Sequence, residues 1–318
     1  MKATSTYPCF AVAGLLACVF QPANADDNAI PVPRFGDSSV PQSPSTRTHS
    51  WELPPLTVVG QRESSTADDD LVGNYAQPRW TTVRRFSEVR TYVIPQGQVE
   101  FEYWFFDTLP SSNQLDTAKS LGQSRPQPEI KQQYEIEMGL GHRLQLDLYL
   151  VYLKDGTSGT NQLDSTKFEL RYALADWGKL WGNPTLYGEW TQAARGADSV
   201  EAKLLLCDDI NQRWAWASNL VAEQKTGDAR DLGLEWNSAL ACSAVDRVLS
   251  VGVETNIANI SSRTDPSTSH RDNHWEISAG PSIRYNPIPQ AHAILSEFIG
   301  LNRDTPQAKT ALVIGWEF

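Results

Sequence analysis

Ala311-Leu312-Val313-Ile314-Gly315-Trp316-Glu317-Phe318 is the stretch whose reading decides the fold. Steps of two back from its end put Phe318, Trp316, Ile314, Leu312 and Thr310 on one face. Glu317, Gly315, Val313, Ala311 and Lys309 fall on the other. Alternation over that length predicts a strand with one apolar side. A water-soluble protein has little use for an apolar-faced strand that closes on a bare aromatic.

The same texture recurs upstream. Leu144, Leu146, Leu148, Leu150 and Tyr152 alternate with Arg143, Gln145, Asp147, Tyr149 and Val151. Val99, Phe101, Tyr103 and Phe105 alternate with Gln98, Glu100, Glu102 and Trp104. About twelve such segments can be traced, at 98–107, 131–140, 142–153, 166–174, 185–193, 200–208, 213–222, 231–242, 248–257, 274–285, 291–301 and 308–318. The longest gaps between them, around Ser112 and around Asp265, fall on one side of the implied wall, and the tight turn at Gly139-Leu140-Gly141 falls on the other. The gap at 175–184 is long for a turn and is expected to hold a short interfacial helix.

Phe10 to Phe20 is an apolar run of signal-peptide length, too short to span a bilayer as a helix. Ala23 and Ala25 stand where a signal peptidase needs small residues, which predicts cleavage after Ala25. A lipobox at Leu15-Leu16-Ala17-Cys18 is the alternative. Residues 26–85 are rich in Pro, Ser, Thr and Asp and are expected to form a disordered periplasmic tail, with the barrel at 86–318. Mean hydropathy is −0.41. That suits a soluble protein and equally a barrel, in which only alternate residues meet lipid. The 11 Trp fit interfacial aromatic girdles, and the net charge of −11 argues against a nucleic-acid partner.

The closing strand resembles that of bacterial outer-membrane β-barrels. The resemblance implies an all-β fold, an antiparallel transmembrane barrel in the outer membrane surrounded by its lipid. Trp316 and Phe318 would form the signal read by the barrel-assembly machinery. The texture is also similar to porin-like barrels of uncharacterised type. A soluble lipocalin-like barrel shares the alternation; the export signal, strand number and terminal Phe318 together favour the membrane form.

If the apolar face meets lipid, the other face lines the lumen, and that face is acidic. Alternation assigns to it Glu100, Glu102, Glu135, Glu137, Asp147, Glu169, Glu189, Glu201, Glu235, Glu254, Glu276, Glu297 and Glu317. Arg143, Arg171 and Lys203 are among its fewer bases. One reading is an ion-pair network that fills the lumen. Another is an acid-lined pore passing small cationic or neutral solutes. A non-transporting barrel, acting as a platform through its loops or tail, is the rival class.

Leu53-Pro54-Pro55-Leu56-Thr57-Val58-Val59-Gly60-Gln61-Arg62 resembles the TonB-box region of TonB-dependent receptors. It implies that Leu56, Thr57, Val58 and Val59 add as a strand to a periplasmic partner. The chain is too short for that family's plug domain and its much larger barrel. A tail strand that packs in or near the lumen as a small plug is the other option.

Catalytic signals are thin. Ser296 and His292 share a strand without an evident third partner, so no enzyme, cofactor or metal site is expected. Cys207 and Cys242 lie two strand spacings apart, about 4.8 Å each, which argues against a disulfide.

Overall fold

The computed structural model describes residues 70–154, 159–227, 231–262 and 271–318. The cleavage site and the segment 53–62 lie outside them. Twelve antiparallel strands form a closed barrel. In chain order they are β1 (Val99–Thr108), β2 (Glu129–Gly141), β3 (Leu144–Lys154), β4 (Asn161–Ala173), β5 (Thr185–Ala193), β6 (Ser199–Asp209), β7 (Trp214–Lys225), β8 (Leu232–Val245), β9 (Leu249–Ser262), β10 (Asp272–Ile288), β11 (Ala291–Gly300) and β12 (Ala308–Glu317). Each pairs with its neighbours in sequence, and β12 pairs with β1 to close the wall, Trp316 opposite Phe101 and Leu312 opposite Phe105. A final bond runs from the Phe318 N–H to the Val99 carbonyl at 2.9 Å.

The expected strands are present, and several run further at the long-loop end. β4 starts at Asn161 and β9 reaches Ser262. Polar residues there interrupt the apolar alternation, yet their backbones still pair across the ladder.

The outer face carries Phe101, Ile136, Leu150, Phe168, Leu186, Leu220, Leu234, Val253, Leu295 and Ile314, all exposed. A continuous apolar belt of this kind belongs against lipid rather than water. Trp316 and Phe318 project from the same face.

We call the end where β1 starts and β12 finishes the lower end. All but one of its turns are tight. His142 and Arg143 both have positive φ, 53° and 62°, the backbone of a type I′ hairpin turn. The 174–184 connection forms no helix, contrary to expectation; it is a run of turns that brings Trp177 against the barrel's contents. At the upper end the first long loop carries helix α1 (Ser112–Ser120), which opens with a capping box between Ser111 and Gln114.

Cys207 is buried inside the barrel, whereas Cys242 lies between the inward Ala241 and Ser243 and so faces outward; both are free. Opposite faces of a wall cannot be bridged.

Candidate functional site

A twelve-stranded barrel is wider than one that wall side chains alone can fill. Here the lower lumen is filled by the chain itself. Residues 80–94, shortly before β1, run through the interior. They follow a small hairpin that pairs Leu71–Val72 with Gln77–Pro78. The sequence boundary at 85/86 cuts through this segment. Trp80, Phe86, Val89, Tyr92 and Val93 on it are almost fully buried, as are Arg84, Arg85 and Arg90.

Between Val83 and Ile94 the segment pairs with no strand, so its backbone groups there are left to side chains. Inward residues of three strands do this. The N–H groups of Ser87 and Glu88 donate to the Glu254 carboxylate at 3.0 and 2.9 Å. Asn219 accepts from the Arg90 N–H at 2.7 Å and donates to its carbonyl at 2.9 Å. The Ile94 N–H donates to Gln145 Oε1 at 2.8 Å. Where the segment leaves the lumen it passes over Gly139; a Cβ there would lie 2.0 Å from the Pro95 carbonyl oxygen, so a larger residue is excluded.

The segment's arginines meet an acid wall formed by β1 to β4. Arg84 donates from Nε to Glu102 at 2.6 Å and from Nη2 to Glu137 at 2.9 Å, and its guanidinium stacks 4.1 Å from the Trp104 ring. Arg90 pairs with Glu135 at 2.8 Å and Glu137 at 3.1 Å and donates to the Tyr149 hydroxyl at 2.6 Å. Burial alone would lower the Arg90 pKa, but Glu135, Tyr149, Glu169 and Glu137 outweigh it, and the pKa is raised well above its ordinary value. Arg171 from β4 holds Asp147 at 2.7 Å and also pairs with Glu169. His292 lies between Glu100 and Glu102, 3.1 Å from each. Its ring fits because position 315 is glycine; a Cβ there would fall 2.1 Å from Cε1.

Opposite, the wall is small and apolar. Ala173, Cys207, Ala215, Ala217, Ala239 and Ala241 pack with Trp80, Phe86, Val89 and Tyr92 in one cluster. Trp177 joins it edge-on to Trp80 and Tyr92, at centroid distances of 5.9 and 5.5 Å. A cavity of about 20 Å³ remains beside Arg84 and Arg90, room for about one water molecule.

The assigned residues thus take several positions. Glu100, Glu102, Glu135, Glu137, Asp147 and Glu169 form the buried acid wall. Glu189 and Glu201 pair with Lys167 at 2.9 Å and Lys203 at 2.8 Å. Glu254 anchors the segment. Glu235 and Glu276 line a cavity of about 280 Å³ in the upper lumen. Glu317 lies half-buried at the lower rim, opposite Glu100.

Two assignments are corrected. Arg143 sits in the lower turn, paired with Asp176 at 3.3 Å and stacked on the outward Tyr172, because the strand phase was carried into a turn residue. Glu297 faces outward, where Thr310 donates to it at 2.5 Å. On β11 the buried row is His292, Ile294, Ser296 and Phe298, so apolarity does not mark the outer face there. Leu56, Thr57, Val58 and Val59 lie outside the described residues.

The arginines of residues 79–90 escaped the sequence reading. The available signal was a basic cluster, Arg79, Arg84, Arg85 and Arg90, placed directly before the first strand of an acidic chain.

The fold defines the class: a closed antiparallel barrel whose structural neighbours are outer-membrane β-barrel proteins. It is similar to the crystal structure of an outer-membrane channel from Pseudomonas putida F1, with a TM-score of 0.54 and 10% identity over 74% of this chain and 100% of that chain. The β-domain of the Bordetella autotransporter BrkA matches with a TM-score of 0.44 and 9% identity, over 70% of this chain and 100% of that one. No protein-family model and no curated sequence matches the chain.

Proposed function

We infer that this protein is a channel of the bacterial outer membrane, held closed by its own residues 80–94, that passes small cationic or neutral solutes when that segment shifts. The observation that carries this reading is the division of charge. The acid wall belongs entirely to fixed strands, whereas two of its principal cations, Arg84 and Arg90, arrive on a segment outside the barrel ladder. With the segment in place the wall is largely neutralised. With it withdrawn, Glu102, Glu135 and Glu137 face an open lumen and favour cations. The likeness in fold to an outer-membrane channel supports the same reading.

The tail that precedes the segment offers a means of withdrawal. A periplasmic partner that took up Leu56, Thr57, Val58 and Val59 by strand addition would pull on the chain leading to Arg84. Trp316 and Phe318, on the outer face of β12, suit recognition by the assembly machinery before insertion.

Planar-bilayer recording tests the channel. The Arg84→Ala/Arg90→Ala protein should conduct several-fold more than the parent, with preference for potassium over chloride. A folded double variant that stays silent, or that prefers chloride, would overturn the reading.

A further inference from the structure

The acid wall holds more carboxylates than guanidiniums. Arg84 reaches Glu102, Glu135 and Glu137, Arg90 reaches Glu135, Glu137 and Glu169, and Arg171 reaches Asp147 and Glu169. Glu100 is the one carboxylate of the wall that no arginine or lysine pairs with among the described residues. It is fully buried, and neither of its oxygens has a hydrogen-bond partner among those residues. Its Oε1 lies 3.1 Å from Nδ1 of His292, out of line with the ring N–H. An ionised carboxylate left in that condition is costly.

A neutral imidazole cannot serve both neighbours of His292. Its Nε2 lies 3.1 Å from Oε1 of Glu102, whose other oxygen is taken by Arg84 Nε at 2.6 Å and Trp104 Nε1 at 3.0 Å. A neutral ring carries one N–H, so its second nitrogen turns a lone pair toward a carboxylate. One more proton would answer that contact and still leave Oε2 of Glu100 bare. A cation held by both carboxylates and one ring nitrogen answers all of these groups. One oxygen of each glutamate and one ring nitrogen already lie within 4.8 Å of one another. Rotation of the two glutamate side chains brings them around one ion at the ~2.0–2.2 Å that zinc takes to imidazole and carboxylate. The place is close to water. Glu100 and His292 follow the first residues of β1 and β11, and Glu317 stands opposite Glu100 at the lower rim.

We propose that Glu100, Glu102 and His292 hold a divalent transition-metal ion of the zinc class. An imidazole nitrogen beside carboxylate oxygens suits such an ion better than magnesium or calcium, which favour oxygen alone. The glutamates stand on β1 and the histidine on β11, with β12 between them. The ion therefore ties together the strands on either side of the last one, as a staple across the closing seam. Glu102 keeps Arg84 on its other oxygen, so the metal and the luminal segment share that residue without displacing each other. The inference goes beyond the channel reading and does not rest on it, since the ion sits in the closed barrel.

The test is calorimetric titration of the purified, untagged full-length protein in detergent, stripped with a chelator, with zinc and with magnesium. One zinc ion per chain should bind, at least about a hundredfold more tightly than magnesium. Glu100→Gln and His292→Gln should each weaken zinc by at least about tenfold. Glu201→Gln, in the same lumen but away from the site, should bind as the parent does. Zinc should also raise the temperature at which the folded band is lost on gels, in the parent and not in Glu100→Gln. X-ray absorption at the zinc edge needs no variant, and should show nitrogen and oxygen neighbours with a single imidazole. No stoichiometric zinc, zinc binding that Glu100→Gln and His292→Gln leave intact, or a shell with sulfur or several imidazoles would overturn the site. The first of these would leave a proton shared by His292 and its glutamates as the occupant. A silent Arg84→Ala/Arg90→Ala protein that still binds zinc would count against the channel alone.

Discussion

Across the lower lumen, β1 to β4 present Glu102, Glu135, Glu137, Asp147 and Glu169 to one side of the luminal segment, and β6 to β8 present Cys207, Ala215, Ala217, Ala239 and Ala241 to the other. The acid wall holds by charge and direction. Each guanidinium has a set of carboxylate oxygens at hydrogen-bond distance, so a shift of one residue would leave buried charges unmatched. The alanine wall holds by volume. Its side chains stop at Cβ, and the room they leave is taken by Trp80, Phe86, Val89 and Tyr92. One wall therefore sets the segment's register and the other sets how much can be packed beside it.

The largest expected effect comes from breaking the acid wall at the barrel's own cation. Arg171→Met leaves Asp147 and Glu169 short of a partner in a dry interior and should cost about 3–5 kcal/mol. Urea unfolding followed by tryptophan fluorescence measures it. A loss under about 1 kcal/mol would mean that water reaches these carboxylates and that the wall is not dry.

Overfilling the alanine wall should have a smaller effect. Ala217→Leu inserts a side chain where Cβ is already buried and should cost about 1–3 kcal/mol. Because the strands are fixed by their ladders, the segment should yield first, so conductance should rise while far-ultraviolet dichroism stays unchanged. Unchanged conductance with a loosened barrel would reverse the assigned order of rigidity.

The smallest effect concerns pH. Burial would raise the Glu88 carboxyl, but Lys309 beside it lowers it more, so its pKa lies below the ordinary value. A depressed pKa makes this tie complete above the unfolded value of about 4.3 and loses it as pH falls through the lower folded value. Lowering the bath from neutral to about pH 3 should add channel openings. Glu88→Gln should already show them at neutral pH and respond less to acid at this step. An unaltered acid response in that variant would assign it to the acid wall instead.

The two walls are unequally legible in the sequence. The acid wall could be traced because its carboxylates alternate with lipid-facing residues such as Phe101, Ile136 and Leu170. The alanine wall was silent, since Ala215, Ala217 and Ala239 are neither polar enough to mark a lumen nor large enough to mark a core. The luminal segment was missed because Thr81 to Val93 has no period. Its conformation is dictated by side chains of distant strands, Asn219 and Glu254 among them, which no local pattern encodes. Glu297 was misplaced for the opposite reason: Ile294 and Phe298 face inward and Leu295 and Ile299 outward, so β11 is apolar on both sides.

The seam between β12 and β1 also bears on the order of folding. The wall closes only when the strand that ends at Glu317 reaches the strand that begins at Val99. Until then the residues just ahead of β1 have no lumen to occupy, and Arg84, Arg85 and Arg90 remain in water. The contact of Arg90 with Asn219 spans 129 residues and that of Ser87 with Glu254 spans 167, a loop that local structure cannot shorten. Strand formation and filling of the lumen should therefore separate in time. After a refolding jump, burial of Trp80 should lag behind the appearance of sheet.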